Sequence, residues 1–204
     1  ELLFCAYTLE SGFEIWRTDG TIAGTFPLSA FGNSSPFAYY ADRVEATRLA
    51  GSYYFLGHGD DGAYSLWRSQ GTPGVAVHVR AIADPGLYLY GAPWLEQTGG
   101  RLVFWGFEDG WKLYGSDGTD AGSSELTETC PVSCSTFVSA ARAFGDRLLF
   151  IVQDELGREQ LWTTRGSPET TFPLAADEES VEVASPLIGA ELAGNWLFPA
   201  RDTA

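Results

Sequence analysis

One eight-residue pattern recurs four times along the 204 residues, and a chain that repeats itself at a fixed interval builds its core by stacking like units. It reads Glu14-Ile15-Trp16-Arg17-Thr18-Asp19-Gly20-Thr21, then Ser65-Leu66-Trp67-Arg68-Ser69-Gln70-Gly71-Thr72. It returns as Lys112-Leu113-Tyr114-Gly115-Ser116-Asp117-Gly118-Thr119 and as Gln160-Leu161-Trp162-Thr163-Thr164-Arg165-Gly166-Ser167. The aromatic anchors Trp16, Trp67, Tyr114 and Trp162 lie 51, 47 and 48 residues apart. A second marker runs in phase: a glycine turn leading into an apolar, aromatic-rich run at Gly51, Gly100, Gly145 and Gly194, spaced 49, 45 and 49. Leu2-Leu3-Phe4-Cys5-Ala6-Tyr7 fills the same slot without its glycine.

Each repeat carries four short β segments. In the third these are Leu102 to Phe107, Trp111 to Ser116, a stretch around Ser124 to Thr127, and Thr136 to Ala143 running into the next glycine. Runs of β-formers bounded by Gly, Asp and Asn read as strands, and Asp-Gly between them as hairpin turns. Pro27 and Pro173 place their segments near a sheet edge, because proline cannot donate to a ladder. Helix signals are weak throughout. The pattern predicts an all-β fold, a β-propeller built from four-stranded antiparallel blades, since a sandwich or closed barrel needs no motif at fixed phase. The repeats fall at about 1–50, 51–99, 100–144 and 145–193, with a partial fifth at 194–204, so the chain holds about four blades plus one extra strand. That surplus fits a segment of a longer ring, or a four-bladed ring in which the last strand overlaps the first blade. The expectation favours the segment, because Glu1 begins directly on a strand.

The repeated segment resembles the ELWxxDGT repeat family, whose consensus places Glu-Leu-Trp two residues before Asp-Gly-Thr, with a further Gly-Thr a few residues on. Glu14 to Thr21 with Gly24-Thr25 departs only in Ile15, and the third repeat keeps Leu113, Asp117, Gly118, Thr119 and Gly122 with Tyr114 in place of Trp. Gln70 and Arg165 replace the Asp in the second and fourth. The resemblance spans essentially the whole chain and implies a propeller in exported or cell-envelope bacterial proteins, usually non-catalytic, with no established active site. Asp boxes of sialidases and quinoprotein repeats order their marker residues differently, WD markers do not occur in phase, and Kelch repeats share a double glycine such as Gly99-Gly100 but not the Asp-Gly-Thr turn.

Several residues invite a chemical reading and also have a structural one. Asp19 and Asp117 fit turn acceptors, with Gly20 and Gly118 at positive φ and Thr21 and Thr119 closing the turn, better than ligand contacts, because two copies dispense with the Asp. Gly71, Thr72 and Gly166 hold the same turn positions. Trp16, Trp67, Tyr114 and Trp162 fit packing between blades; Trp94, Trp105, Trp111 and Tyr88-Leu89-Tyr90 lie out of phase and are the better ligand candidates. Asp60, Asp61, Glu108 and Asp109 are calcium candidates, though adjacent carboxylates supply only part of the six to eight oxygens calcium takes. Cys130-Pro-Val-Ser-Cys134 is expected to form a disulfide, since an exported acidic chain is a setting where disulfides persist. Zinc is disfavoured because neither His58 nor His78 is close in sequence.

Composition removes whole classes. With 12 Lys+Arg against 27 Asp+Glu, net charge −15, the chain lacks the clustered cations that nucleic-acid binding requires. No apolar stretch approaches the length of a membrane span. The chain has no Met and opens without a basic, apolar leader, so no signal peptide is read in it. No serine sits in a nucleophile elbow, and nothing in the spacing selects a carboxylate pair for glycoside cleavage. The functional expectation is therefore a non-catalytic interaction scaffold with a protein partner in the envelope or outside the cell, and no cofactor unless calcium binds. A carbohydrate-binding or carbohydrate-cleaving propeller and a structural component of a surface assembly are the alternatives. The segments 32–40, 84–94 and 130–135 depart most from the repeat and are the expected binding loops.

Overall fold

A computed structural model of the chain describes residues 1–31, 45–59, 62–83, 94–107, 111–126, 138–153, 159–174, 182–183, 190–192, 195–197 and 200–201. The described residues are organised as strands, with one 3-10 turn over Pro168–Thr170.

The first sheet contains β1 (Leu2–Thr8), β2 (Gly12–Thr18) and β3 (Phe26–Pro27). The second contains β4 (Ala46–Leu49), β5 (Ser52–His58), β6 (Tyr64–Ser69) and β7 (Val77–Ala83). The third contains β8 (Leu95–Thr98), β9 (Arg101–Phe107), β10 (Trp111–Ser116) and β11 (Ser124–Glu125). The fourth contains β12 (Val138–Phe144), β13 (Arg147–Gln153), β14 (Glu159–Thr164) and β15 (Phe172–Pro173). Within each sheet consecutive strands pair antiparallel. One parallel bridge among the described residues, Ala83 to Phe107, links these second and third four-stranded units into a continuous eight-stranded sheet. Beyond them β16 (Glu182–Val183) pairs with β19 (Ala200–Arg201), and β17 (Ala190–Leu192) with β18 (Asn195–Leu197). Pro27 and Pro173 lie on the outermost strands β3 and β15, where a missing N–H is tolerated.

The strand before each glycine pairs forward. Leu49 faces Ser52, Thr98 faces Arg101 and Phe144 faces Arg147, so two-residue turns stitch β4 to β5, β8 to β9 and β12 to β13. Ala50-Gly51 and Gly99-Gly100 have positive φ at both turn positions, the geometry that matches strand twist in a tight hairpin. Each four-stranded sheet thus combines the last strand of one repeat with three strands of the next, and the repeats drawn from sequence straddle the sheets by one strand. The short leading strands lie side by side, β4 next to β8 and β8 next to β12. The first sheet has no such leading strand among the described residues.

A sheet with neighbours on both faces must be apolar on both, which is why β5, β9 and β13 read as unbroken runs instead of alternating. Tyr53 and Phe55 pack backwards against Ile15, Leu28 and Phe31 of the first sheet. Tyr54 and Leu56 pack forwards against Leu102, Phe104 and Tyr114 of the third. Val103 and Trp105 in turn meet Leu148, Phe150, Val152 and Trp162 of the fourth. Phe55, Phe104 and Phe150, at one register position in three successive sheets, are each fully buried.

Candidate functional site

The repeated turns gather at one end of the strands. Asp19 Oδ1 accepts from the Thr21 N–H at 3.0 Å and the Thr21 hydroxyl at 2.7 Å, and Thr21 Oγ1 accepts from Gly24 N–H at 3.0 Å. Asp117 and Thr119 repeat this at 2.9 and 2.6 Å, with Thr119 Oγ1 accepting from Gly122 N–H at 3.0 Å. The Thr hydroxyl and N–H hold both carboxyls below the usual carboxylate range. A Cβ on Gly24 would sit 2.0 Å from Asp19 Oδ1, and one on Gly122 equally close to Asp117, which explains the trailing glycine of the motif. Gly20, Gly71, Gly118 and Gly166 have φ of 90, 87, 95 and 87°.

A hydroxyl two residues ahead of each of these glycines was missed in the sequence reading, although Thr18, Ser69, Ser116 and Thr164 stand there in all four copies. Each accepts the glycine N–H, at 3.0, 3.2, 3.0 and 2.8 Å. A second hydroxyl seven residues on closes the turn at its base in three copies: Thr18 to Thr25, Ser116 to Ser123 and Thr164 to Thr171. Where Arg165 replaces Asp, Thr170 Oγ1 takes over and accepts from the N–H groups of Arg165 and Ser167. Where Gln70 replaces it, Thr72 contributes its carbonyl to Val75 N–H, and Gly74 N–H crosses to Pro27 of the first sheet.

This end also ties sheets together. Arg101 donates from Nε to Gly166 O at 2.6 Å and from Nη2 to Gly122 O at 2.8 Å. Arg17 meets Glu1 at 3.2 Å and Tyr53 Oη at 3.1 Å, while Arg48 reaches Glu1 at 2.7 Å. Three of the four aromatic anchors lie at interfaces between sheets, Trp67 between the first and second, Tyr114 between the second and third and Trp162 between the third and fourth, whereas Trp16 lies on the face of the first sheet turned away from the second. Trp67 Nε1 donates to Gly57 O and Trp162 Nε1 to Gln160 Oε1, but Trp16 Nε1 is buried without a partner. Trp105 is buried in the third interface, with Trp94 packed half-buried against it. The side chain of Trp111 and the Tyr88-Leu89-Tyr90 segment lie outside the described residues, as do Asp60, Asp61, Glu108, Asp109, Cys130 and Cys134.

Polar groups inside the fold are committed to its frame. Glu14, fully buried, accepts from the Ser29 hydroxyl and from Phe31 N–H at 3.0 Å. Glu45 accepts from Leu95 N–H at 3.1 Å, carrying a buried carboxylate from the second sheet to the leading strand of the third. Burial, reinforced by Glu45, raises the Tyr64 phenol well above its ordinary value. Burial pushes the Cys5 thiol up to about 11, leaving it a poor nucleophile. His78 Nε2 lies 3.2 Å from Ser65 Oγ, and Ser65 is fully buried. Among the described residues no group of three His, Cys, Asp or Glu side chains could hold a metal ion.

The opposite end presents apolar surface. Thr8 and Ser11 close the β1–β2 turn through their hydroxyls at 2.7 Å, turning Leu9 outward with 93% of its surface exposed. Tyr7 and Phe13 face each other across the strands below it, ring centroids 5.0 Å apart at 58°, exposed by 58% and 43%. The same register in the second sheet holds His58 and Tyr64, also 5.0 Å apart, but there Tyr64 is buried. The sequence signal was present, two aromatics flanking a hydroxyl-closed turn with a leucine at its tip.

No protein-family model and no curated protein matches the chain. Among solved structures it is similar to TolB from Acinetobacter baumannii, with a TM-score of 0.53 at 11% identity, over 98% of this chain and 48% of that one. The chain has a β-propeller fold. It spans about half the length of the TolB chain. A looser likeness, TM-score 0.37 at 11% identity over 86% of this chain and 38% of the other, is to Bacteroides ovatus xyloglucan PUL GH43B, and at that score it has no weight for fold or activity. No helix among the described residues is long and apolar enough to cross a membrane.

Proposed function

We propose that this chain is a non-catalytic propeller module of an exported or cell-envelope bacterial protein and works by binding a protein partner. The observation that carries the reading is the Tyr7, Leu9 and Phe13 tip: large apolar side chains held in the open on a hairpin whose counterpart in the next sheet buries Tyr64. Exposed aromatics on a rigid frame are what protein interfaces are enriched in. The commitment of Asp19, Asp117, Glu14, Glu45 and Ser65 to internal hydrogen bonds speaks for a frame in preference to a reaction centre. Export rests on the resemblance of the turn motif.

The test immobilises the chain and its Leu9→Asp and Tyr7→Ser variants, exposes each to native envelope extract, and in parallel screens them on a glycan array and a panel of chromogenic glycosides. A protein retained by the wild type and lost from both variants, with unchanged circular dichroism, supports the reading. A glycan bound through the same tip, with no protein retained, replaces it by the carbohydrate-binding alternative, which the exposed Tyr7–Phe13 ring pair favours. Two further proposals are read separately: intact mass with and without reductant for a Cys130–Cys134 disulfide, and a thermal shift at millimolar calcium for Asp60, Asp61, Glu108 and Asp109.

A further inference from the structure

The ring pair at the β1–β2 tip has a direction. Leu3 and Ile15 pack towards the second sheet, and strand residues two apart share a face, so Tyr7 and Phe13 stand on that same side, one register step beyond the fully buried Ile15. Their rings meet at 58° with centroids 5.0 Å apart, an open corner with Leu9 at its tip 93% exposed. Glu10, beside Leu9 in the turn, is exposed as well.

The strand bounds assign the charged turns to one end or the other. The hairpin connections at the end of this tip span residues 9–11, 59–63, 108–110 and 154–158. In sequence they carry one, two, two and two carboxylates, Glu10, Asp60 and Asp61 among them, against the one cation Arg158. At the opposite end the acids of the turns are balanced by Arg165 and by the strand-end residues Arg17, Arg48, Arg68, Arg101 and Arg147. The negative surplus therefore leans towards the tip, and the hairpin of the second sheet, on the side the rings face, is the one that carries Asp60 and Asp61 in its sequence.

Aromatic faces attract cations, and nearby carboxylates add to the attraction at low salt. The fold already uses the pairing: Arg17 lies over Phe26 and Tyr53 at 5.1 and 5.9 Å, and Arg48 over Tyr53 at 4.9 Å. Leu9 adds an apolar contact that a bare metal ion has no use for. An arginine side chain has one, because its guanidinium stacks on rings while its stem covers apolar surface.

We propose that the tip recognises a basic polypeptide segment in which arginine alternates with apolar side chains, a guanidinium seated on Tyr7 and Phe13 and an apolar neighbour on Leu9. This rests on the reading of the tip as the partner-binding surface and gives the partner its chemistry. Charge complementarity selects the occupant: a second copy of the chain, at net charge −15, is repelled from this end, and so is an anionic lipid headgroup.

Fluorescence anisotropy of a labelled short peptide alternating arginine and leucine tests the proposal on the full chain, beside peptides with glutamine or glutamate in place of arginine. The arginine peptide is expected to bind, the glutamine peptide about tenfold more weakly and the glutamate peptide not at all. Raising sodium chloride from about 50 to about 300 mM should weaken the arginine peptide about fivefold through screening of the carboxylates. Leu9→Ser should weaken it about tenfold, Tyr7→Leu about threefold, and Glu10→Gln combined with Asp60→Asn and Asp61→Asn about threefold. Tyr7 and Leu9 are mostly in solvent, so their variants keep the fold, and circular dichroism checks it. A glutamine peptide bound as tightly as the arginine one, and lost in Leu9→Ser, overturns the basic partner while leaving the partner-binding tip in place. An arginine peptide held equally by the wild type, Leu9→Ser and Tyr7→Leu overturns the proposal by putting the cation elsewhere on an acidic surface, and no binding of that peptide overturns it outright. Whether the tip retains an envelope protein is read separately and decides the reading on which this one rests.

Discussion

The first and third sheets carry nearly the same turn and live in different surroundings. Around Asp19 and Asp117 the hydrogen bonds agree to within about a tenth of an ångström, yet Phe104 is fully buried where Phe4 is half-buried. The turn is therefore a local object, specified by Asp, Gly, Thr and the trailing glycine, and it forms whether or not a neighbour covers its sheet. Burial is a property of position in the stack, and the same strand sequence is core in one place and surface in another.

Substitutions at paired positions can break or sharpen this contrast. The largest gap is expected between Phe104→Ala and Phe4→Ala: about 3–5 kcal/mol lost for the first by urea denaturation, and less than half of that for the second. Equal losses would mean that Phe4 is covered in solution. Gly118→Ala comes next, because its Cβ would lie 2.1 Å from Tyr54 Oη in addition to the positive-φ strain, while the site on Gly20 is open. Gly20→Ala should cost about 1–2 kcal/mol and Gly118→Ala measurably more, read from thermal melts.

Asp19→Ala and Asp117→Ala should lower the melting temperature slightly and by the same amount, within error. A clear inequality would show that the turn feels its neighbours after all. The smallest effect is in pH. Both carboxyls are depressed in the folded state, so their contribution is complete above the unfolded value of about 3.9 and fades as pH falls through their lower folded values. A double Asp19→Asn, Asp117→Asn variant should lose less stability than the wild type between pH 4 and pH 2, and an identical pH profile would remove the two turns as its source.

The strand runs and the positive-φ glycines could be read directly, because period, β-formers and Asp-Gly turns are local signals. Sheet phase could not. A periodic sequence has no intrinsic origin, and a glycine turn such as Gly99-Gly100 marks a hairpin inside a sheet as readily as a boundary between two. The hydroxyls at Thr18, Ser69, Ser116 and Thr164 were visible in every copy but look like ordinary strand residues until their acceptor role is seen. Glu14 and Glu45 were unreadable for a different reason. A carboxylate is normally a surface residue, and what buries Glu45 is the N–H of Leu95, fifty positions away. The difference between Phe4 and Phe55 depends on which sheet lies behind them, information no local window contains.

Borrowing the leading strand from the preceding repeat also decides where this chain can be cut. A break at Gly100 or Gly145, the visible start of a repeat, falls inside a hairpin and would leave β9 or β13 with a raw edge. A boundary drawn between β7 and β8, or between β11 and β12, keeps every hairpin among the described residues whole, and duplication of a unit bounded there adds a finished blade instead of a torn one.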